Sequence, residues 1–327
     1  MNINRYKELE SKYSDNTVMV IGDLMLDNYL WGQATRISPE APVPIIKVES
    51  TSSNPGGAAN VVNNLAALGS HVIACGVVGD DQNGSLLKSI IEGFGSDVTE
   101  IIVDPNRPTT VKTRVIAHNQ QVIRTDWEDT SQLNKDISDK LLQKILDRMD
   151  DCNAVILEDY NKGLFYKDFI QTIVSECEQR SIPVYADPKI DHFFDYRGVS
   201  LFKPNLGEAL AALDKTITTE NDIFEAGREI MDKLGCEMVL LTRGEKGMVL
   251  FDSDGHHDIS TKARNVHDVS GAGDTVISVF CLTHISGATP LESATVANYA
   301  AGRVCEDVGV VPITKENLYE IITHHNS

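Results

Sequence analysis

The feature that most limits what this chain can become is an alternation. Short apolar runs, several rich in β-branched residues, recur: "TVMVIGD" (17–23), "HVIACGVVGDD" (71–81), "AVILED" (154–159), "IPVYADP" (182–188), "SLFKPN" (200–205) and "EMVLLTRG" (237–244). Between them lie stretches with helical spacing, up to about Phe94 and over 131–149, 167–180, 206–213, 220–234, 271–286 and 290–305. In "NPGGAANVVNNLAALGS" (54–70) Val61, Leu65 and Leu68 share one helical face, and Gly69 suits the helix end. Strands that alternate with helices pack into a mostly parallel sheet, because each crossover helix covers a face of it. The fold class is therefore α/β, a mostly parallel central sheet with helices on both faces.

Two stretches break the pattern. In 28–50, Pro39, Pro42 and Pro44 forbid a helix and suit an extended edge strand. In 98–124, "VKTRVIAHNQQVIRTD" alternates about a polar turn at His118 to Gln120 and reads as a hairpin. The two pieces are expected to pair as a small protruding β lid. A second hairpin is expected over 247–260, turning at Ser253 to Gly255. No linker or internal repeat divides the 327 residues, so one domain over 1–327 is the economical reading.

Charge narrows the partners. A formal charge of -19 lacks the basic footprint of a nucleic-acid or anionic-membrane binder. No apolar run is long enough to span a bilayer. The six cysteines are scattered without a C-x-x-C pair, which fits buried thiols in a reducing cytosol. The N-terminus, "MNINRYKELESKYSDN", is polar and reads as neither a signal nor a transit peptide, so a cytoplasmic location is expected.

The chemistry concentrates in "DVSGAGDTVISVF" (268–280), where Gly271, Ala272 and Gly273 precede one acid and an apolar helix. A helix N-terminus offers unpaired N–H groups and partial positive charge, and small residues leave them open to a phosphate. Asp274 beside that phosphate could take the proton of an attacking alcohol. An aspartate in a first helical turn also stabilises the helix through its dipole, and the short string alone does not decide between the two. No P-loop and no G-x-G-x-x-G dinucleotide fingerprint occurs.

Taken together, "NPGGAANVVNNLAALG" and "DVSGAGDTVISVF" resemble the signature pair of the ribokinase-like (PfkB) sugar kinases. "KPNLGE" (203–208) is similar to that family's N-x-x-E element and "LTRGEKG" (241–247) to its nucleotide-side loop. The likeness runs from about residue 17 to 313. "ISPEAPVP" and "EDYNKG" (158–163) resemble the branch that phosphorylates D-glycero-β-D-manno-heptose 7-phosphate for the lipopolysaccharide core, in its stand-alone kinase form. Other sugar or nucleoside kinases of the family are the alternative, and a non-catalytic sensor is a further one. Val269-Ser270 departs from the family's more usual threonines.

The resemblance implies ATP and Mg²⁺ as cofactors. It implies Asp274 as base, with Gly271, Ala272 and Gly273 as the anion hole, and Asp27, Gly56, Gly57 and Asn60 around the sugar. Lys203 would meet the transferring phosphate. Asn205 and Glu208 would organise Mg²⁺ through water, and the same pair has the spacing of a helix capping box. Thr242, Gly244 and Gly247 fall on the nucleotide's phosphate and ribose side, and Asn298 by the adenine. Arg36, Lys112, Arg114, Arg124 and Lys162 are candidates for the sugar's own phosphate, Arg124 and Lys162 first. The lid's open edge implies a homodimer through that sheet.

Overall fold

The structure, a computed structural model, describes residues 1–118, 120–261, 268–307 and 309–325. Among the described residues, thirteen strands form two sheets. They are β1 (Thr17–Gly22), β2 (Leu24–Ile37), β3 (Pro44–Gly57), β4 (His71–Gly79), β5 (Ile101–Asp104), β6 (Thr110–Ala117), β7 (Gln120–Trp127), β8 (Ala154–Glu158), β9 (Val184–Asp187), β10 (Leu201–Phe202), β11 (Met238–Thr242), β12 (Met248–Asp252) and β13 (Gly255–Ile259). The large sheet has nine strands in the order β13-β12-β11-β10-β9-β8-β1-β4-β5. From β11 to β5 all neighbours run parallel, and the β12–β13 hairpin is antiparallel.

The helices are α1 (Ile3–Glu10), α2 (Ala58–Ala67), α3 (Gln82–Gly93), α4 (Lys135–Asp147), α5 (Lys167–Gln179), α6 (Leu206–Leu213), α7 (Glu220–Leu234), α8 (Ala272–Ile285), α9 (Pro290–Val304) and α10 (Lys315–His325). They cover both faces, as alternating elements require. One buried cluster joins α2, α8 and α9 to the sheet through residues such as Val20, Leu65, Phe280 and Val296. The opposite cluster joins α4, α5 and α7 to it through Met19, Leu141, Ile173 and Ile230. The strands are apolar on both faces because both faces are covered.

The lid is the second sheet, in the order β3-β2-β6-β7. β2 pairs antiparallel with β3 and parallel with β6, which pairs antiparallel with β7. The two irregular stretches thus pair with each other, and β3, which Pro44 opens, is an edge strand, while Pro39 and Pro42 lie in the connection between β2 and β3. The hairpin turn expected at His118 to Gln120 joins β6 to β7; Asn119 itself lies outside the described residues.

Several boundaries differ from the sequence reading. Gly56 and Gly57 end β3 rather than open α2, because pairing with Met25 and Leu24 holds them extended. Residues 101–104, assigned to the lid, form β5 and add to the main sheet beside β4. The helices α1 and α10 were not expected. All six cysteines are buried and unpaired. No helix among the described residues is long and apolar enough to cross a membrane.

Candidate active site

The C-terminal ends of parallel strands are where open α/β sheets place ligands. Here Asp23 follows β1, Asp159 and Tyr160 follow β8, β9 ends at Asp187 and β11 at Thr242, and Tyr160, Asp187 and Thr242 share a cavity of about 660 Å³ with the N-terminus of α8. The cavity is lined by Gly271, Ala272, Gly273 and Asp274, by Lys203, Asn205 and Glu208, and by Thr242, Gly244, Gly247 and Asn298. All the residues expected at the anion hole, the base and the nucleotide therefore share one cavity.

The entrance to α8 is bare. Its cap is Gly271, at φ 78, with no side-chain hydrogen bond. The Ala272 N–H turns back to the Val269 carbonyl at 3.2 Å, while Gly273 and Asp274 N–H have no acceptor among the described residues. The open amides are thus shifted one position from the expected set, with Asp274 contributing its own. A Cβ at Gly273 would sit 3.4 Å from Lys203 Nζ, so the missing side chain is the space in front of that ammonium.

Asp274 is buried, and both its oxygens are held. Asn60 Nδ2 donates to one at 2.7 Å and the Tyr160 hydroxyl to the other at 2.7 Å. Burial pushes the carboxyl up, and these two donors pull it partly back. Asn60 is therefore tied to the acid rather than standing free beside the cleft. Gly271 makes this possible: a Cβ there would lie 2.7 Å from Asn60 Nδ2. The two glycine-bearing motifs, more than two hundred residues apart, meet at this contact.

Tyr160 went unnoticed in the sequence. Its phenol stays protonated because burial, then the charge of Asp274, raises its pKa well above normal. Asp23 orients the loop carrying it, accepting the N–H groups of Tyr160 at 2.7 Å and Lys162 at 3.1 Å. The signal that could have found Asp23, Tyr160 and Asp187 is their position directly after an apolar strand.

Lys203 is buried on Asp187 at 2.6 Å and is not a solvated strand-end lysine. Glu158, Asp187 and Asp274 each bring a carboxylate oxygen within 4.8 Å of the others, all buried. Neither Glu158 oxygen has a hydrogen-bond partner among the described residues. Burial, then the neighbouring Asp187 and Asp274, hold its carboxyl well above the usual range. This surplus of buried carboxylate oxygen is a donor set that suits Mg²⁺. Glu208 faces the same cavity and closes a capping box with Asn205, while Lys189 binds its other oxygen at 2.9 Å. Asn298 is buried and donates to the Ser260 carbonyl at 2.7 Å, so it does not face solvent.

At the base of the lid, Asp27 is buried against Gly56, where a Cβ would meet it at 2.5 Å. Arg114 donates to Asp27 at 2.5 Å. A Cβ at Gly57 would lie 2.6 Å from the Asp23 carbonyl, so this glycine permits close packing of backbone on backbone. Lys162 lines a small cleft beside Asp23 and Arg107. Arg124 is not brought to either cavity: it is half exposed and grips Asp126 through two hydrogen bonds.

The pattern of the pfkB family carbohydrate kinases matches residues 15–316. The chain belongs to that family. That family is one of carbohydrate kinases. It is 41% identical over 322 residues to the bifunctional protein HldE of Geotalea uraniireducens, across 97% of this chain and 66% of that one. It is 38% identical over 314 residues to the bifunctional protein HldE of Helicobacter hepaticus, across 96% and 65%. The chain thus spans about two thirds of the length of the curated relatives it matches. Among solved structures, phosphofructokinase-2 from Escherichia coli, in complex with substrates and products, superposes with a TM-score of 0.81 at 18% identity, covering 95% of this chain and 100% of that one. Arabidopsis thaliana ribokinase complexed with ribose and ATP gives 0.72 at 19% identity, covering 94% and 98%. At such identities the likeness to these structures is one of fold.

Proposed function

We propose that this pfkB kinase transfers the γ-phosphoryl group of ATP to the anomeric hydroxyl of D-glycero-β-D-manno-heptose 7-phosphate. The product is the 1,7-bisphosphate, for heptose supply to lipopolysaccharide. One observation carries the reading: a buried carboxylate, held by two donors, stands beside unpaired amides at the mouth of a helix and on a large cavity. Similarity to the HldE proteins, with the "ISPEAPVP" and "EDYNKG" stretches, supports the choice of sugar.

In this reading the anomeric oxygen attacks the γ-phosphorus while Asp274 takes its proton, and the bond to the β-phosphate oxygen breaks to release ADP. The amides of Gly273 and Asp274 and the ammonium of Lys203 face the charge on the transferring group, which is how such sites lower the barrier. Glu158 and Asp187 would hold Mg²⁺, with Asn205 and Glu208 acting through water, and the ion when bound offsets the charge of the nucleotide's phosphates. Thr242, Gly244, Gly247 and Asn298 form the nucleotide side, and Asp27, Gly56, Gly57 and Asn60 the sugar side. The whole chain acts as one kinase domain, and the lid sheet joins two copies.

The test is product analysis. Incubation of the purified protein with MgATP and the heptose 7-phosphate is expected to give ADP and a new anomeric phosphate resonance in ³¹P NMR. A higher kcat/KM on ribose, fructose or a nucleoside than on the heptose phosphate would overturn the choice of sugar.

A further inference from the structure

Asparagine is a poor helix former and costly to bury unless its amide is bonded. Yet α2 buries three: Asn60, Asn63 and Asn64. Asn60 meets the base. Asn64 lies one turn further on, is fully enclosed and does not line the cavity. Its Oδ1 accepts the backbone N–H of Ile313 at 3.0 Å and the Thr275 hydroxyl at 3.3 Å. Its Nδ2 donates to the Asn60 carbonyl at 2.9 Å and to Asn60 Oδ1 at 3.4 Å. All four places at which a carboxamide can bond are thus filled.

The direction of these bonds matters. A carboxamide turned end for end fills the same space with donor and acceptor exchanged. For Asn60 only one setting suits a base, the one that points Nδ2 at Asp274. The other would set a carbonyl oxygen against a carboxylate. The N–H of Ile313 has no such choice, because a backbone N–H can only donate. It turns Asn64 so that Oδ1 faces Ile313 and Nδ2 faces Asn60. Asn60 Oδ1 then has its donor, and Asn60 Nδ2 is left for Asp274. A polarity set by one backbone group, in the connection between α9 and α10, passes through two side chains of α2 to the acid on α8.

We propose that Asn64 is a positioning residue for phosphoryl transfer, setting which end of the Asn60 amide faces Asp274. This assignment rests on reading Asp274 as the base. It differs from a plain staple between α2 and Ile313, which would act on stability and leave turnover of the folded enzyme alone.

The experiment is a double-mutant cycle. Steady-state kcat and KM with MgATP and heptose 7-phosphate are compared for wild type, Asn64→Leu, Asn64→Ser, Asn60→Ala and Asn60→Ala combined with each Asn64 change. Thermal midpoints show which variants are folded. Asn64→Leu keeps the volume and removes the amide; Asn64→Ser leaves room for water at the Ile313 N–H and serves where the leucine variant does not fold. In the wild-type background either change is expected to lower kcat about tenfold or more, with KM for ATP within about twofold. Added to Asn60→Ala, the same change is expected to lower kcat no more than about twofold further, because its route is already cut. A folded Asn64 variant with kcat within about twofold of wild type overturns the assignment and leaves the kinase reading standing. An equal loss in both backgrounds overturns the route through Asn60. A wild type that transfers phosphate to no sugar overturns the kinase reading, and the role of Asn64 falls with it.

Discussion

The place of Asp274 in the first turn of a helix was legible in the sequence because its evidence is local: a bare turn, one acid and an apolar helix. What holds the acid was not legible, because Asn60 and Tyr160 reach it from distant segments. Asn60 was read as a sugar ligand, and nothing in a linear string shows that its amide also reaches an acid on another helix. Gly271 looked like an open phosphate seat, and it also keeps room for that amide. The Tyr160 bond has a testable consequence. A donor to a carboxylate favours its charged form, so removing the donor raises the acid's pKa. A base works only when deprotonated. In Tyr160→Phe the acidic limb of the kcat/KM profile is therefore expected to move to higher pH, with kcat down roughly tenfold or more. A limb that stays in place would mean that Tyr160 does not tune the base.

At the scale of elements, helices were read most faithfully, α6 and α7 to the residue, because helical periodicity is strong over eight or more positions. Strand ends were read less well. The stretch "SSNPGG" has little β propensity, and only long-range pairing with β2 makes it a strand. The short β5 was likewise fixed by its partner β4. One link between elements governs the site's stability: Asp23, at the end of β1, clamps the loop after β8. Burial, then the charge of Asp159, raises its carboxyl from 3.8 to about 7, against the two N–H bonds it accepts. Between those values the folded chain keeps a proton that the unfolded chain releases. Its contribution to stability is thus full below about pH 4 and is lost as pH rises through about 7. Asp23→Asn keeps an acceptor and removes the charge. Its thermal midpoint is expected to fall less than that of wild type between pH 5 and pH 8, and to exceed it by a few degrees at pH 8. Parallel curves for the two proteins would contradict this linkage.

For the whole molecule, the mostly parallel sheet with helices on both faces followed from alternation, and the lid from the two stretches that broke it. The lid leaves apolar side chains in water, among them Ile37, Val48, Ile123 and Trp127. Leu30, Val115 and Ile123 stand side by side by register. Such a face, on a sheet with open edges, calls for a cover. A homodimer is expected by light scattering at micromolar concentration, and Ile123→Glu is expected to shift it toward monomer; a monomeric wild type would contradict the lid interface. The cavity at the mouth of α8 gathers residues from Tyr160 to Cys305 around one acid. Its purpose is tested most directly by Asp274→Asn, which is nearly isosteric and cannot take the alcohol's proton. Steady-state turnover with MgATP and heptose 7-phosphate, beside calorimetric ATP binding, is expected to show kcat lowered by about 10² to 10⁴ with ATP affinity within a few-fold of wild type. Turnover within tenfold of wild type would contradict the account.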